Sequence, residues 1–484
     1  MASDVAIKGD EVQDFRLPSD ETFIHDMWLT YCDCQERRLL EYSYLLIETA
    51  VSFNSELQQV QLPQAEYSSL PIQDRIAIRF AQSCLDKKEF LRVISFFDQT
   101  AVSKQISKQT PVIRFFYYYS VYLHLERNRL GLGIGGVKYA KDRKISIARY
   151  SELKSALEKL ADETDPYLIY LLGMIYKRLY SYSQAQTCFA KAVLLLPRCF
   201  PAWYELARLP IREYDFPSIP LPNHWMKILM SVEYYLYRNQ PARAMEQFDR
   251  LPIALKHSTL IGNYFSAQIF SKLGEFESAR ASYEMIMRLD DQCMWWRTAY
   301  ANYLLSVEKS NESLAAIAYE SHVTNAFSFD TEMVYGIYSS LYYNDIQQSK
   351  AVLHYRHALA MNSDSAQAWT MLGHSLQLME NSVGAMFAYE RALERDPFDV
   401  RALYYLGLLY QEHKKDVFAL YYLLSALSLA TDNVKIADRA FKIVDRLNDG
   451  TRHCRVRLSE QGLTRDCKIQ AKRMSQNILD INRH

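Results

Sequence analysis

A chain of 484 residues can hold several globular domains or one extended array, and its 49% hydrophobic content supplies a continuous core and excludes global disorder. Its 56 basic residues are balanced by 56 acidic ones, which excludes the basic excess of a dedicated nucleic-acid binder. Only 14 glycines and 14 prolines interrupt the chain, and its 36 tyrosines offer apolar bodies with polar tips, suited to inter-helix packing and to groove walls.

The opening segment, MASDVAIKGDEVQDF, is polar and acidic, lacks the apolar core of a signal peptide, and leads to residues 1–19 being read as a flexible tail. No run reaches the ~18 apolar residues of a membrane span. The densest, Phe115 to Tyr119 and on to Leu125, is broken by Ser120 and His124. The chain is expected to be soluble and intracellular with no membrane contact, and its eight scattered cysteines fit reduced thiols.

Helical periodicity dominates from residue 20 onward. Residues 20–52 carry two helical patterns, with Ile24, Met27, Trp28 and Tyr31 on one face. A second pair occupies 75–100: Ile78, Ala81 and Leu85, then Phe90, Val93, Ile94 and Phe97. An aromatic helix, Val112 to Leu125, follows, then an irregular connection over 128–150 and a polar helix at about 151–161. From Pro166 a repeat is legible: Leu172, Gly173 and Tyr176 in a first helix, Ala185, Phe189 and Ala192 in a second, and Pro197 as terminator. Small residues let the two helices approach, and large ones fill the space between them. The next unit begins with Trp203, Leu206 and Ala207 and breaks over 210–223 at Pro210, Pro217, Pro220 and Pro222. The pattern resumes near Trp225, continues from Leu260, degenerates over 294–322, and is strong in units starting near Glu332, Ala366 and Val400. A final helix is expected at about 434–447, before a basic tail over 448–484.

A step of 34 residues carries Trp369 to Leu403, Leu372 to Leu406, Gly373 to Gly407, Ala385 to Ala419 and Ala392 to Ala426. One step upstream lie Tyr335, Tyr338, Ala351 and Ala358. This is the spacing of a tetratricopeptide repeat (TPR), so the fold expected is an all-α superhelical solenoid. It divides into N-terminal degenerate repeats over 20–165 and a repeat array over 166–447. Such a solenoid offers a concave groove.

The residues that could carry chemistry form no site. Gly131, Gly133 and Gly136 fit a G-x-G-x-x-G string, but an aromatic helix precedes it where a dinucleotide site needs a strand. Cys32 and Cys34 fall on a helix without a second pair, and His453, Cys454 and Cys467 are no better as ligands. No nucleophile–base set is present, so neither metal, cofactor nor catalysis is expected. The groove is the place for function. Counting unit starts at 294, 332, 366 and 400, the second, fifth, ninth and twelfth positions include Asn302, Ser340, Tyr343, Gln367, Thr370, His374, Gln377, Tyr404 and Gln411. Glu332 and Glu412 lie beside them, and Asn344 ends the same stretch. A polar, tyrosine-walled surface suits an extended peptide, with an arginine of that peptide paired to Glu332 or Glu412. The lysine–asparagine carboxylate clamp of co-chaperone repeats is not expected, because Thr298 stands where the lysine would be.

Four segments go beyond the repeat consensus: Phe115–Tyr122, Asp165–Gly173, Pro220–Lys227 (PLPNHWMK, just after the broken repeat) and Ala368–His374. Together, over roughly 75–447, they resemble the subunit of the anaphase-promoting complex (cyclosome) often numbered eighth. The resemblance implies a non-catalytic scaffold in a cell-cycle ubiquitin ligase, in the nucleus and cytoplasm. It implies a homodimer formed through the N-terminal repeats, other TPR subunits as neighbours, and a groove that receives a coactivator motif at Asn302 and the Glu332–Asn344 helix. The family usually continues with further repeats beyond the point matching residue 447. A TPR scaffold of a transport or RNA-processing assembly is the alternative.

Overall fold

The computed structural model describes residues 20–51, 71–99, 110–131, 139–160, 165–211, 216, 219–307, 311–342, 344–430 and 434–450. Among the described residues the regular structure is entirely helical. The helices run in antiparallel pairs. The first are α1 (Asp20–Glu36) with α2 (Leu40–Val51), α3 (Ile72–Asp86) with α4 (Phe90–Gln99), and α5 (Pro111–Gly131) with α6 (Tyr139–Glu158). Next come α7 (Pro166–Arg178) with α8 (Tyr182–Leu195), and the lone α9 (Phe200–Ala207) before the proline-rich stretch. Then follow α10 (Trp225–Tyr237) with α11 (Pro241–Asp249), a single turn α12 (Ile253–His257), and α13 (Leu260–Leu273) with α14 (Phe276–Leu289). The array ends with α15 (Arg297–Ser306) and α16 (Asn311–Asn325), α17 (Phe329–Ser340) and α18 (Asp345–Met361), α19 (Ala366–Leu378) and α20 (Ser382–Arg395), α21 (Val400–Glu412) and α22 (Asp416–Leu429), and α23 (Val434–Gly450).

The expected irregular connection over 128–150 is a correction. The α5 helix runs on to Gly131 and α6 begins at Tyr139, so the polar helix is longer than its periodicity suggested. The remaining glycines of the decoy motif and the tails 1–19 and 451–484 lie outside the described residues.

Helix pairs close because small residues sit where backbones cross. At Gly373 a Cβ would collide with the ring of Tyr389, and at Gly336 with that of Tyr355. Ala385, Tyr389 and Ala392 are fully buried on the facing helix. Removing such a ring costs about 3–5 kcal/mol. N-caps start the helices: Asp165 accepts from the Tyr167 N–H at 2.8 Å, and the Thr259 hydroxyl from Gly262 at 3.0 Å.

Seven of the turns inside the pairs share one device. Arg38, Lys88, Tyr180, Asn239, Gly274, Glu380 and Lys414 each have positive φ and stand between the two helices of a pair. The left-handed residue turns the chain in three residues, and only at Gly274 is it free of Cβ strain. The recurrence at Arg38 and Lys88 marks the two N-terminal pairs as units of the same kind as the later ones.

The N-terminal pair does not simply stack in sequence order. It packs against units that follow well downstream in sequence. The Asp26 carboxylate accepts from Trp225 Nε1 at 2.7 Å and lies 2.9 Å from His224 Nε2. Arg198 donates to Asp33 at 2.6 Å, and the Tyr42 hydroxyl donates to Glu205 at 3.1 Å. Trp295 Nε1 donates to Glu48 at 3.0 Å, and the Arg37 guanidinium lies 4.0 Å over the Tyr167 ring. These partners are 130 to 247 residues away in sequence, so one core joins Phe23 and Met27 to Tyr167, Trp203 and Trp225.

A second long-range contact joins successive turns of the superhelix. Asp364, between α18 and α19, accepts from Arg129 at 2.7 Å and Arg178 at 3.1 Å, with Arg395 at 3.6 Å. Glu126 holds the same arginines, Arg129 at 2.7 Å and Arg178 at 2.8 Å, and accepts from the Tyr150 hydroxyl at 2.7 Å. The Arg238 guanidinium stacks 4.7 Å over Phe398, beside Tyr237 at 5.5 Å.

Candidate functional site

Between these turns lies a cavity of about 1000 Å³, walled by tyrosines such as Tyr204, Tyr237 and Tyr303. Of the groove residues named from the sequence, it takes in Asn302 and Gln367.

Asn302 is held on both sides. Its Nδ2 donates to the Thr298 carbonyl at 2.7 Å, and its Oδ1 accepts from Arg401 at 3.4 Å across the gap between α15 and α21. Thr298 in turn donates to Asp330 at 2.7 Å. The same pairing recurs two units on, where Thr370 donates to Asp399 at 2.7 Å.

Glu332 and Ser340 do not take the expected register. Gly373 and Tyr389 are 16 residues apart, whereas Gly336 and Tyr355, which meet in the same way, are 19 apart. The stretch between the crossing points of α17 and α18 is therefore three residues longer, taken up mostly in the 17-residue α18, and the unit starts near Phe329. Glu332 moves from the first position to the fourth, which faces the second helix of its own unit. Its carboxylate meets His354 Nδ1 at 2.8 Å, with His357 at 3.6 Å, and Tyr335 stacks on His354 at 5.4 Å. Ser340 becomes buried. Its hydroxyl donates to the Ile337 carbonyl at 2.8 Å, and its own carbonyl accepts from Gln348 at 3.2 Å. Asn344 caps α18 by accepting from the Gln347 N–H at 2.8 Å, and Tyr343 lies outside the described residues.

The later candidates form a second, more open strip. His374 packs on Tyr405 at 4.8 Å. Burial first, then the Arg401 guanidinium, keeps its pKa below the usual histidine value. Gln377 accepts from the Tyr389 hydroxyl at 3.0 Å and reaches the exposed Glu412 at 3.4 Å. Tyr404 lies against Tyr405 at 5.6 Å and under the Arg439 guanidinium at 5.9 Å.

Arg401, Lys272 and Asp364 escaped the sequence reading. The repeat pattern fixes which helix face a residue is on, but not which distant unit it meets across the superhelix. Cys32 is half-buried and Cys34 buried on α1. Among the described residues, Glu48, Asp290 and Cys293 place ligand atoms within 4.8 Å of one another. The Glu48 oxygens there already take the Trp295 and Cys293 donors, at 3.0 and 3.2 Å. Among the described residues no helix is long and apolar enough to cross a membrane.

Comparison with known proteins gives this geometry a relationship. Residues 47–261 match the family described as anaphase promoting complex subunit 8 / Cdc23, and residues 366–399 match the tetratricopeptide repeat. The chain is 28% identical over 350 residues to anaphase-promoting complex subunit 8 of Arabidopsis thaliana, covering 69% of this chain and 56% of that protein. It is 25% identical over 227 residues to the protein of that name in Dictyostelium discoideum, covering 45% and 36%. It is 23% identical over 329 residues to the cell division cycle protein 23 homolog of Caenorhabditis elegans, covering 64% and 46%. The chain thus spans about half the length of the curated relatives it matches. The resemblance read from its sequence holds: this is an all-α tetratricopeptide-repeat protein related to the anaphase promoting complex subunit 8 / Cdc23 family.

Proposed function

We propose that the protein is a non-catalytic scaffold subunit of an anaphase-promoting complex, a cell-cycle ubiquitin ligase, acting in the nucleus and cytoplasm. The match over residues 47–261 carries this reading. A stacked array in which each unit contacts its neighbours also suits a part that spaces other subunits.

In this reading the chain self-associates through its N-terminal repeats. Ile72, Ile76 and Leu91, on α3 and α4, are 60–66% exposed and supply apolar surface for it. Other TPR subunits stack on the remaining surface, and the groove around Asn302 receives an extended motif of a coactivator. The arginine partner expected at Glu332 has less support, since His354 and His357 already hold that carboxylate.

The test is recovery of the tagged chain from its native cells, with mass spectrometry of what co-elutes. Cullin-like and RING subunits arriving with other repeat proteins is the expected result. A partner set without them would assign the scaffold to another assembly.

A further inference from the structure

We infer that the C-terminal segment 467–481 docks as an amphipathic helix on its own chain, along a row of exposed apolar side chains at the start of α18, α20 and α22.

The row is a feature of the repeat. The second residue of α18 is Ile346, of α20 Val383 and of α22 Val417, with Phe418 beside the last. These four side chains are 56–83% exposed. Their equivalent places put them along one edge of the superhelix, about 10 Å apart from unit to unit. A residue there faces water, and α14 and α16 accordingly carry Glu277 and Glu312. An apolar run that begins at α18 and continues through the next two units marks a contact surface rather than scattered exposure.

The occupant follows from where the chain goes next. Only residues 430–433 separate α22 from α23, so the two helices run antiparallel. Ile443 accordingly shares a core with Ala419 and Leu423. With 17 residues in α23 against 14 in α22, the helix ending at Gly450 brings the chain back to the start of α22, where Val417 and Phe418 stand. Residues 451–484 follow from that point. Within them Cys467, Ala471, Met474, Ile478 and Ile481 recur at steps of four and three, the spacing of one helix face. Lys468, Lys472, Arg473 and Asp480 fall on the other sides. A helix over 467–481 is about 22 Å long, which matches the two unit spacings from Val417 to Ile346. The intervening residues 451–466 span at most about 50 Å, enough to place that helix in either direction along the row. Tethering holds the segment at an effective concentration on the order of millimolar, well above what a second copy supplies, so the contact is made within one chain.

The test is hydrogen–deuterium exchange on the full chain. Amides of 467–481 should exchange at least about tenfold more slowly than those of an unstructured chain. Val383→Asp combined with Val417→Asp should bring them within about twofold of that reference, with exchange in α19 to α21 unchanged. Aspartate in the first turn of a helix suits its dipole, so the array tolerates both changes. A reciprocal variant, Met474→Asp with Ile478→Asp, leaves the array untouched and should raise hydroxyl-radical labelling of Phe418 several-fold. Unprotected amides over 467–481, protection that survives the change of both valines, or unaltered labelling of Phe418 overturns the inference. So does cross-linking of Cys467 to a Val417→Cys site that joins only different chains when isotope-labelled and unlabelled protein are mixed, since the occupant would then be a second copy.

Discussion

His374 shows how much one side chain's neighbours decide. Its place in the strongest repeat marks it, from the sequence, as a groove candidate. Its charge state is not marked in that way, because Arg401 and Tyr405 reach it from the next unit. Burial and then Arg401 depress its pKa, so the folded chain holds the neutral imidazole more firmly than the unfolded chain does. Protons are therefore taken up on unfolding, and stability falls as pH drops below the unfolded value of about 6.5. His374→Gln should remove that part of the decline. Urea midpoints at pH 7.5 and 5.5 should converge between variant and wild type at the higher pH and favour the variant at the lower. Equal midpoints for the two proteins at both values would mean that the ring is solvated. Asp364, by contrast, carried no sequence signal at all. It lies in a turn, and its partners Arg178 and Arg129 are 186 and 235 residues away.

Among the elements, the pairs built on glycine and alanine crossings were readable, since a close approach admits little else. The one false register arose because the 34-residue step lands on Tyr335 and Tyr338, both aromatic as the pattern asks. Only the contact of Gly336 with Tyr355 shows the extra three residues. The repeated left-handed turn was invisible for the opposite reason. Tyr180, Glu380 and Lys414 are not residues that announce positive φ, and the stacked units impose it on them. Glu380 has φ 58° and is exposed, so its side chain gives little in return. Glu380→Gly should relieve the Cβ strain and, after the entropy cost in the unfolded chain, gain about 0.5–1 kcal/mol. A urea midpoint that falls would show that the side chain makes a contact worth more than the strain.

At the scale of the molecule, periodicity predicted a stacked superhelix but not the contacts that join its successive turns. Asp364 joins the first superhelical turn to the second. Burial alone would raise its pKa, but Arg178, Arg129 and Arg395 outweigh that and hold the carboxyl well below the usual range. The contribution is therefore complete near neutral pH and lost only as pH falls through that low value. Asp364→Asn leaves three guanidinium groups crowded around a neutral amide and should cost about 1–3 kcal/mol, discounted for partial exposure. Small-angle scattering should show a longer particle with unchanged helicity. An unchanged radius of gyration would place closure in the apolar contacts of Phe398 instead. The seating of the first helical pair has a further consequence, in the order of synthesis. Asp20–Val51 leaves the ribosome well before Trp225 and Trp295 exist to receive Asp26 and Glu48. At about 5–20 residues per second, roughly 10–50 s separate the hairpin from the last wall of its groove. During that interval Phe23, Met27 and Leu46 have no native partner beyond the neighbouring units, so this pair is the segment of the chain most in need of a chaperone.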